Sequence, residues 1–199
     1  MRPRHNITLT EFTNTFVPSG LLVVAALLAA ETTNNLDFGR LRYSIWVAMV
    51  LLASALCLYI LPKVTEQRES YRLLLWTFGY LTYLIHFYYA AWVHYHGIVD
   101  VFKQQGPVIA TSNFLVTLWW GLDVVLAWWA NPNARWVKVQ RIAAHLYIPI
   151  TFFVSSVVIF KGSVHKLGLA LTAVVLVCLL IRIVVKLTAT QAAATPSIT

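Results

Sequence analysis

The chain has 199 residues, 59% of them hydrophobic and only 11% charged, with a formal net charge of +8. Soluble domains carry about a quarter charged residues, and here the charges gather between long apolar runs instead of along one face of each element. That pattern excludes an ordinary soluble domain and predicts an all-α, polytopic transmembrane helix bundle, a single integral membrane domain over residues 1–199.

The expected spans lie at about 12–30, 41–61, 73–96, 109–130, 136–160 and 164–185. That makes six, or five if the first segment does not cross. The apolar core of the first, Phe16–Ala30, is short for a crossing of about 20 residues, and Pro18 and Ser19 stand near its start. A signal peptide is the rival reading, with Arg2 and Arg4 ahead of it. The leucines three residues before the plausible cleavage points argue for a span lengthened by Phe12–Thr15. Pro62 closes the second span, Gly97 the third, and the turn Asn131-Pro132-Asn133 the fourth. Lys161-Gly162 follows the fifth, and residues 188–199 are expected to form a flexible tail after the sixth.

With six spans, Arg2, Arg4, Lys63, Arg68, Arg72, Arg135, Lys138, Arg141, Arg182 and Lys186 fall on one side. Arg40, Arg42, Lys103, Lys161 and Lys166 fall on the other, ten against five of the 15 basic residues. The positive-inside rule then places both termini in the cytoplasm, and size and charge bias suggest a prokaryotic inner (plasma) membrane. The basic excess reads as a topology signal and as contact with anionic headgroups of the lipid bilayer, not as nucleic-acid binding. Trp46 and Trp92 near one interface, and Trp76, Trp128, Trp129 and Trp136 near the other, fit aromatic belts. Trp119 and Trp120 lie mid-span, for packing or for lining a ligand cavity. Cys57 and Cys178 read as small buried hydrophobes. The sequence has no internal repeat, phosphate loop, nucleophile elbow or carboxylate pair.

Ionisable residues inside a span are costly and point to function by default. Three are deep: His86, Asp123 and His145. Gly79, Thr82, Ala90 and Val93 share the azimuth of His86, a stripe of mostly small residues where a helix or a flat ligand can approach. Asp123 has no cation in its own span and must be paired, hydrogen-bonded or protonated. Counted along the helices it comes within about a turn of the depth of His145, so an Asp123–His145 pair is expected, as a structural lock or as the outer support of a ligand-binding histidine. His94, His96 and His165 gather at the opposite edge. They are candidate copper or zinc ligands if the helix ends before Gly97, and otherwise interfacial histidines facing headgroups and water.

The layout resembles the ferric-reductase-like membrane cytochrome b proteins of the haem-binding membrane subunit type. The resemblance rests on Arg72 at the start of the third span with His86 fourteen residues on, and on the entrance "RWVKVQRIAAH" that brings His145 into the fifth. It implies haem b held between helices, with His86 and His145 as axial ligands and Arg141 or Arg135 near a propionate. It also implies electron transfer with quinone or a redox protein. Val99 and Val158 stand where the family has further histidines, which leaves at most one bis-histidine haem. Three functions follow as expectations: a haem-b electron-transfer protein or cytochrome subunit, a proton-coupled transporter using Asp123, and a non-catalytic accessory or assembly subunit of a larger membrane complex.

Overall fold

The computed structural model describes residues 7–62, 65–159 and 161–194. Among them are seven α-helices: α1 (Leu9–Glu31), α2 (Leu36–Ile60), α3 (Glu66–Tyr88), α4 (Ile98–Gln105), α5 (Pro107–Trp129), α6 (Arg135–Phe153) and α7 (Ser163–Ala194). π-Helical turns extend α3 over Tyr89–His94 and α6 over Val154–Ile159. Five helices are long and apolar enough to cross a membrane, namely α1, α2, α5, α6 with its π turn, and α7. The bundle is that of an integral membrane protein.

α3 matches the others in length but not in hydropathy, because its first two turns carry Glu66, Arg68, Glu69 and Arg72. It is nonetheless a central helix, packing extensively along α2 and also against α1 and α5. Its polar start is needed inside the bundle, as described below.

α1 answers the question raised by its short apolar core. It begins at Leu9, under a capping box in which Thr8 Oγ1 accepts from the Glu11 amide at 3.1 Å and Glu11 Oε2 from the Thr8 amide at 2.8 Å. Its buried face is Glu11, Thr15, Ser19, Ala26 and Ala30, while Phe16, Leu21, Val24 and Leu28 point outward. This is the arrangement expected when the surrounding solvent is hydrocarbon: small and polar groups seek the helix seam and large apolar ones face lipid.

The C-terminal end of α2 is held by two arginines. The Arg68 guanidinium donates to the carbonyls of Leu58, Leu61 and Pro62, and Arg182 Nη1 of α7 donates to the Ile60 carbonyl at 3.3 Å. Cations there satisfy orphan carbonyls and complement the helix dipole.

The expected flexible tail needs correction. α7 continues through Ala194, because Thr188–Ala194 follows an established apolar helix and its Ala and Gln residues add little cost to propagation. Residues 195–199, like Arg2, Arg4, Lys63 and the span-ending Phe160, lie outside the described residues.

Candidate functional site

Two polar regions lie inside the bundle. The first is built around Asp123, in the last third of α5. Its side chain is 1% exposed. Arg141 Nε lies 3.9 Å from Oδ1 and His145 Nδ1 3.9 Å from Oδ2, both from α6, where a spacing of four residues puts the two side chains on one face. Neither carboxylate oxygen has a hydrogen-bond partner among the described residues. Trp76 Nε1, both amide atoms of Gln140 and Arg141 Nε are also buried there without one.

α3 supplies the other wall. Arg72 Nη1 stands 3.4 Å from His145 Nε2. Arg72 also grips Glu69 with two arms, Nε to Oε2 at 2.8 Å and Nη2 to Oε1, while the Glu69 side chain stays 34% exposed. The ring of His145 stacks on Trp76 and meets Tyr59 of α2 on a tilted approach, with centroids 4.8 Å apart. The expected Asp123–His145 neighbours are therefore together, joined by Arg141, Arg72 and Glu69. Arg72 and Glu69 were missed in the sequence. The available signal was the i, i+4 spacing of Arg72 and Trp76, which puts a charge on the face that an amphipathic third helix turns inward.

The second region is a cavity of about 220 Å³ beside His86, toward the other end of the bundle. His86 Nδ1 donates to the Leu41 carbonyl of α2 at 2.9 Å, leaving Nε2 as its lone pair. Both π turns line this cavity, through Ala90, Ala91 and His94 on one side and Ser155, Ser156 and Ile159 on the other. Gln105 and Asn113 face it too, with Asn113 Nδ2 donating to Gln105 Oε1 at 3.1 Å. Arg42 lines it with its Nε buried and unpartnered, and no carboxylate is among the described lining residues.

A second, apolar groove of about 400 Å³ runs between α2, α6 and α7. Met49, Phe152 and Ser156 line both spaces, so the cavity and the groove adjoin. Gly79 shows how tightly the helices close elsewhere. A Cβ there would lie 3.3 Å from the Trp120 ring and 3.5 Å from Leu51.

Between the two regions runs an unbroken aromatic column. Its successive centroid distances are 6.0 Å from His86 to Tyr83, 5.7 Å to Trp120, 5.1 Å to Trp76 and 4.0 Å to His145. The column uses Trp120 as core packing, whereas Trp119 stacks on Tyr147.

Two ligand sets expected from the sequence are not assembled. A haem between His86 and His145 does not fit, because an axial ligand needs a free nitrogen and open approach. His145 donates through Nδ1 to the Arg141 carbonyl at 2.9 Å, turns Nε2 to Arg72, and lines neither cavity. Arg141 serves Asp123, and Arg135 is exposed at the first turn of α6. The copper or zinc set is also separated. His94 turns into the cavity, His96 is exposed with φ 61°, and His165 sits in the first turn of α7. Among the described residues no group of three or more His, Cys, Asp or Glu could hold a metal ion. The cause is the π turn, which ends α3 in a left-handed His96-Gly97 cap and parts the two neighbouring histidines.

No family model, curated protein or solved structure matches the chain.

Proposed function

We propose that this protein is a quinone-binding integral membrane protein, a subunit of membrane electron transfer that takes the ring of a quinone-class lipid into the His86 cavity. One observation carries the reading: two π turns, from different helices, face the same cavity beside a buried histidine. π turns concentrate at functional sites because they open the backbone ladder and widen the helix locally.

The chemistry of the lining agrees. Tyr83, Phe87, Phe114 and Phe152 supply flat apolar walls for a ring. His86 Nε2 can accept a hydrogen bond from a quinol hydroxyl. The Gln105 amide, oriented by its bond from Asn113, and the Arg42 guanidinium can donate to a quinone carbonyl. The adjoining groove offers an apolar path for an isoprenoid or alkyl tail.

Under the positive-inside orientation this cavity lies toward the periplasmic side and the Asp123 centre toward the cytoplasm. The test is organic extraction of the purified protein followed by mass spectrometry of the extract. Near-stoichiometric quinone in wild type, strongly depleted in His86→Leu, supports the reading. A wild type that carries none and takes up no short-tailed quinone on reconstitution overturns it.

A further inference from the structure

The Asp123 centre plays no part in holding that lipid, and its geometry is not that of a lock. A charged hydrogen bond that fastens two helices closes to about 2.7–2.9 Å. Here Arg141 Nε and His145 Nδ1 both stop at 3.9 Å, and the buried N–H groups of Trp76 and Gln140 also make no hydrogen bond to the carboxylate. His145 has committed its Nδ1 proton to the Arg141 carbonyl, and Arg72 has committed two arms to Glu69. The carboxylate is thus buried among donors that do not reach it. Neither oxygen has a hydrogen bond among the described residues to break, so a proton can be exchanged there without undoing a fastening between helices.

The groups around it come from three helices. α3 brings Glu69 and Arg72, α6 brings Arg141 and His145, and α2 places Tyr59 against both His145 and Arg72. Two of them reach outward: the Glu69 side chain is 34% exposed and that of Arg141 18%, while Asp123 is sealed.

We propose that Asp123 is a protonation site, whose carboxyl takes up and releases one proton exchanged with water at the end of the bundle where Glu69 and Arg141 reach the surface. Uptake turns the carboxylate into a carboxylic acid, and release returns the proton to that same side. The two arginines and the His145 ring hold the site around that carboxyl.

The test is infrared difference spectroscopy of the full chain in lipid nanodiscs, titrated from about pH 4 to about pH 9. A carboxylic C=O stretch that appears and disappears reversibly in wild type, and is absent in Asp123→Asn, is the expected result. Arg141→Gln leaves Asp123 in place and should displace the midpoint by about one pH unit or more. It keeps the question decidable if Asp123→Asn does not fold. Wild-type carboxyl bands that Asp123→Asn leaves unchanged, or a band whose midpoint ignores Arg141→Gln, overturn the proposal. No ligand enters this measurement, so its outcome is separate from that of the quinone extraction.

Discussion

The imidazole of His145 lies flat on the indole of Trp76, with ring centroids 4.0 Å apart and planes 9° from parallel. Trp76 is 1% exposed and belongs to the main core cluster, so this one contact ties the charged centre to the apolar core. Trp76→Ala should cost about 3–5 kcal/mol, the range for removing a large buried ring, and should loosen α6 from α3. Thermal unfolding in detergent reads the loss. A melting temperature unchanged from wild type would mean that the stack bears no load.

A methyl group at Gly79 would meet Leu51 and Leu52 of α2 at an ordinary contact distance of 3.5 Å and the Trp120 ring slightly closer, at 3.3 Å. Gly79→Ala is expected to change stability by less than about 1 kcal/mol, because only the Trp120 ring must give, and only slightly. Gly79→Leu should prevent assembly of a monodisperse protein. Size-exclusion profiles of the two variants check the graded effect; a well-behaved Gly79→Leu contradicts it.

Arg68 closes three carbonyls at the end of α2. Arg68→Gln removes the charge at a helix C-terminus and most of those bonds, for an expected loss of about 1–2 kcal/mol. Hydrogen exchange at the end of α2 should quicken while the amides near Leu51 stay protected. Uniform protection along α2 in the variant would assign that end to some other restraint.

The Cys57 thiol of α2 faces the Cys178 thiol of α7 across a packed seam. Both cysteines are free. Copper-phenanthroline treatment should link them, giving a product that loses two alkylatable thiols per chain and regains them on reduction. Full alkylation after oxidation would place the two helices farther apart than they stand here.

Ser156 lies where the cavity adjoins the groove, with its hydroxyl bonded to the Phe152 carbonyl at 2.6 Å. Ser156→Phe should plug this junction. If the tail runs through it, long-tailed quinone is lost from the extract while a tail-less analogue still binds. Equal loss of both would relocate the tail.

The membrane class was legible in the sequence because length and hydropathy dominate it. The nearness of Asp123 to the α6 histidine was legible as well, since rise per residue fixes depth along a helix. Three things were not. Arg72 and Glu69 begin a helix that hydropathy truncates at Leu73, so their inward direction depends on α3 being enclosed by α1, α2 and α5. The reach of α1 back to Leu9 depends on a cap formed by Thr8 and Glu11, whose polarity reads as loop. The placement of His86 and His145 in separate regions depends on which neighbour each ring nitrogen finds, and spacing along one helix carries no information about that.

The two π turns also bear on how this chain can change by insertion and deletion. Each holds one residue more than a regular helix needs over the same rise. Removing Ala90 or Ala91 should let Tyr89–His94 close as regular α-helix, narrowing that turn while the residues on either side keep their directions. The widened wall that this turn gives the cavity would be lost while α3 up to His86 kept its packing. The same holds for Val154–Ile159 and the serines it presents. The shape of the cavity is thus set by residue number as much as by residue identity, and a single-codon deletion at either turn is the smallest change that would erase it and leave the rest of the bundle standing.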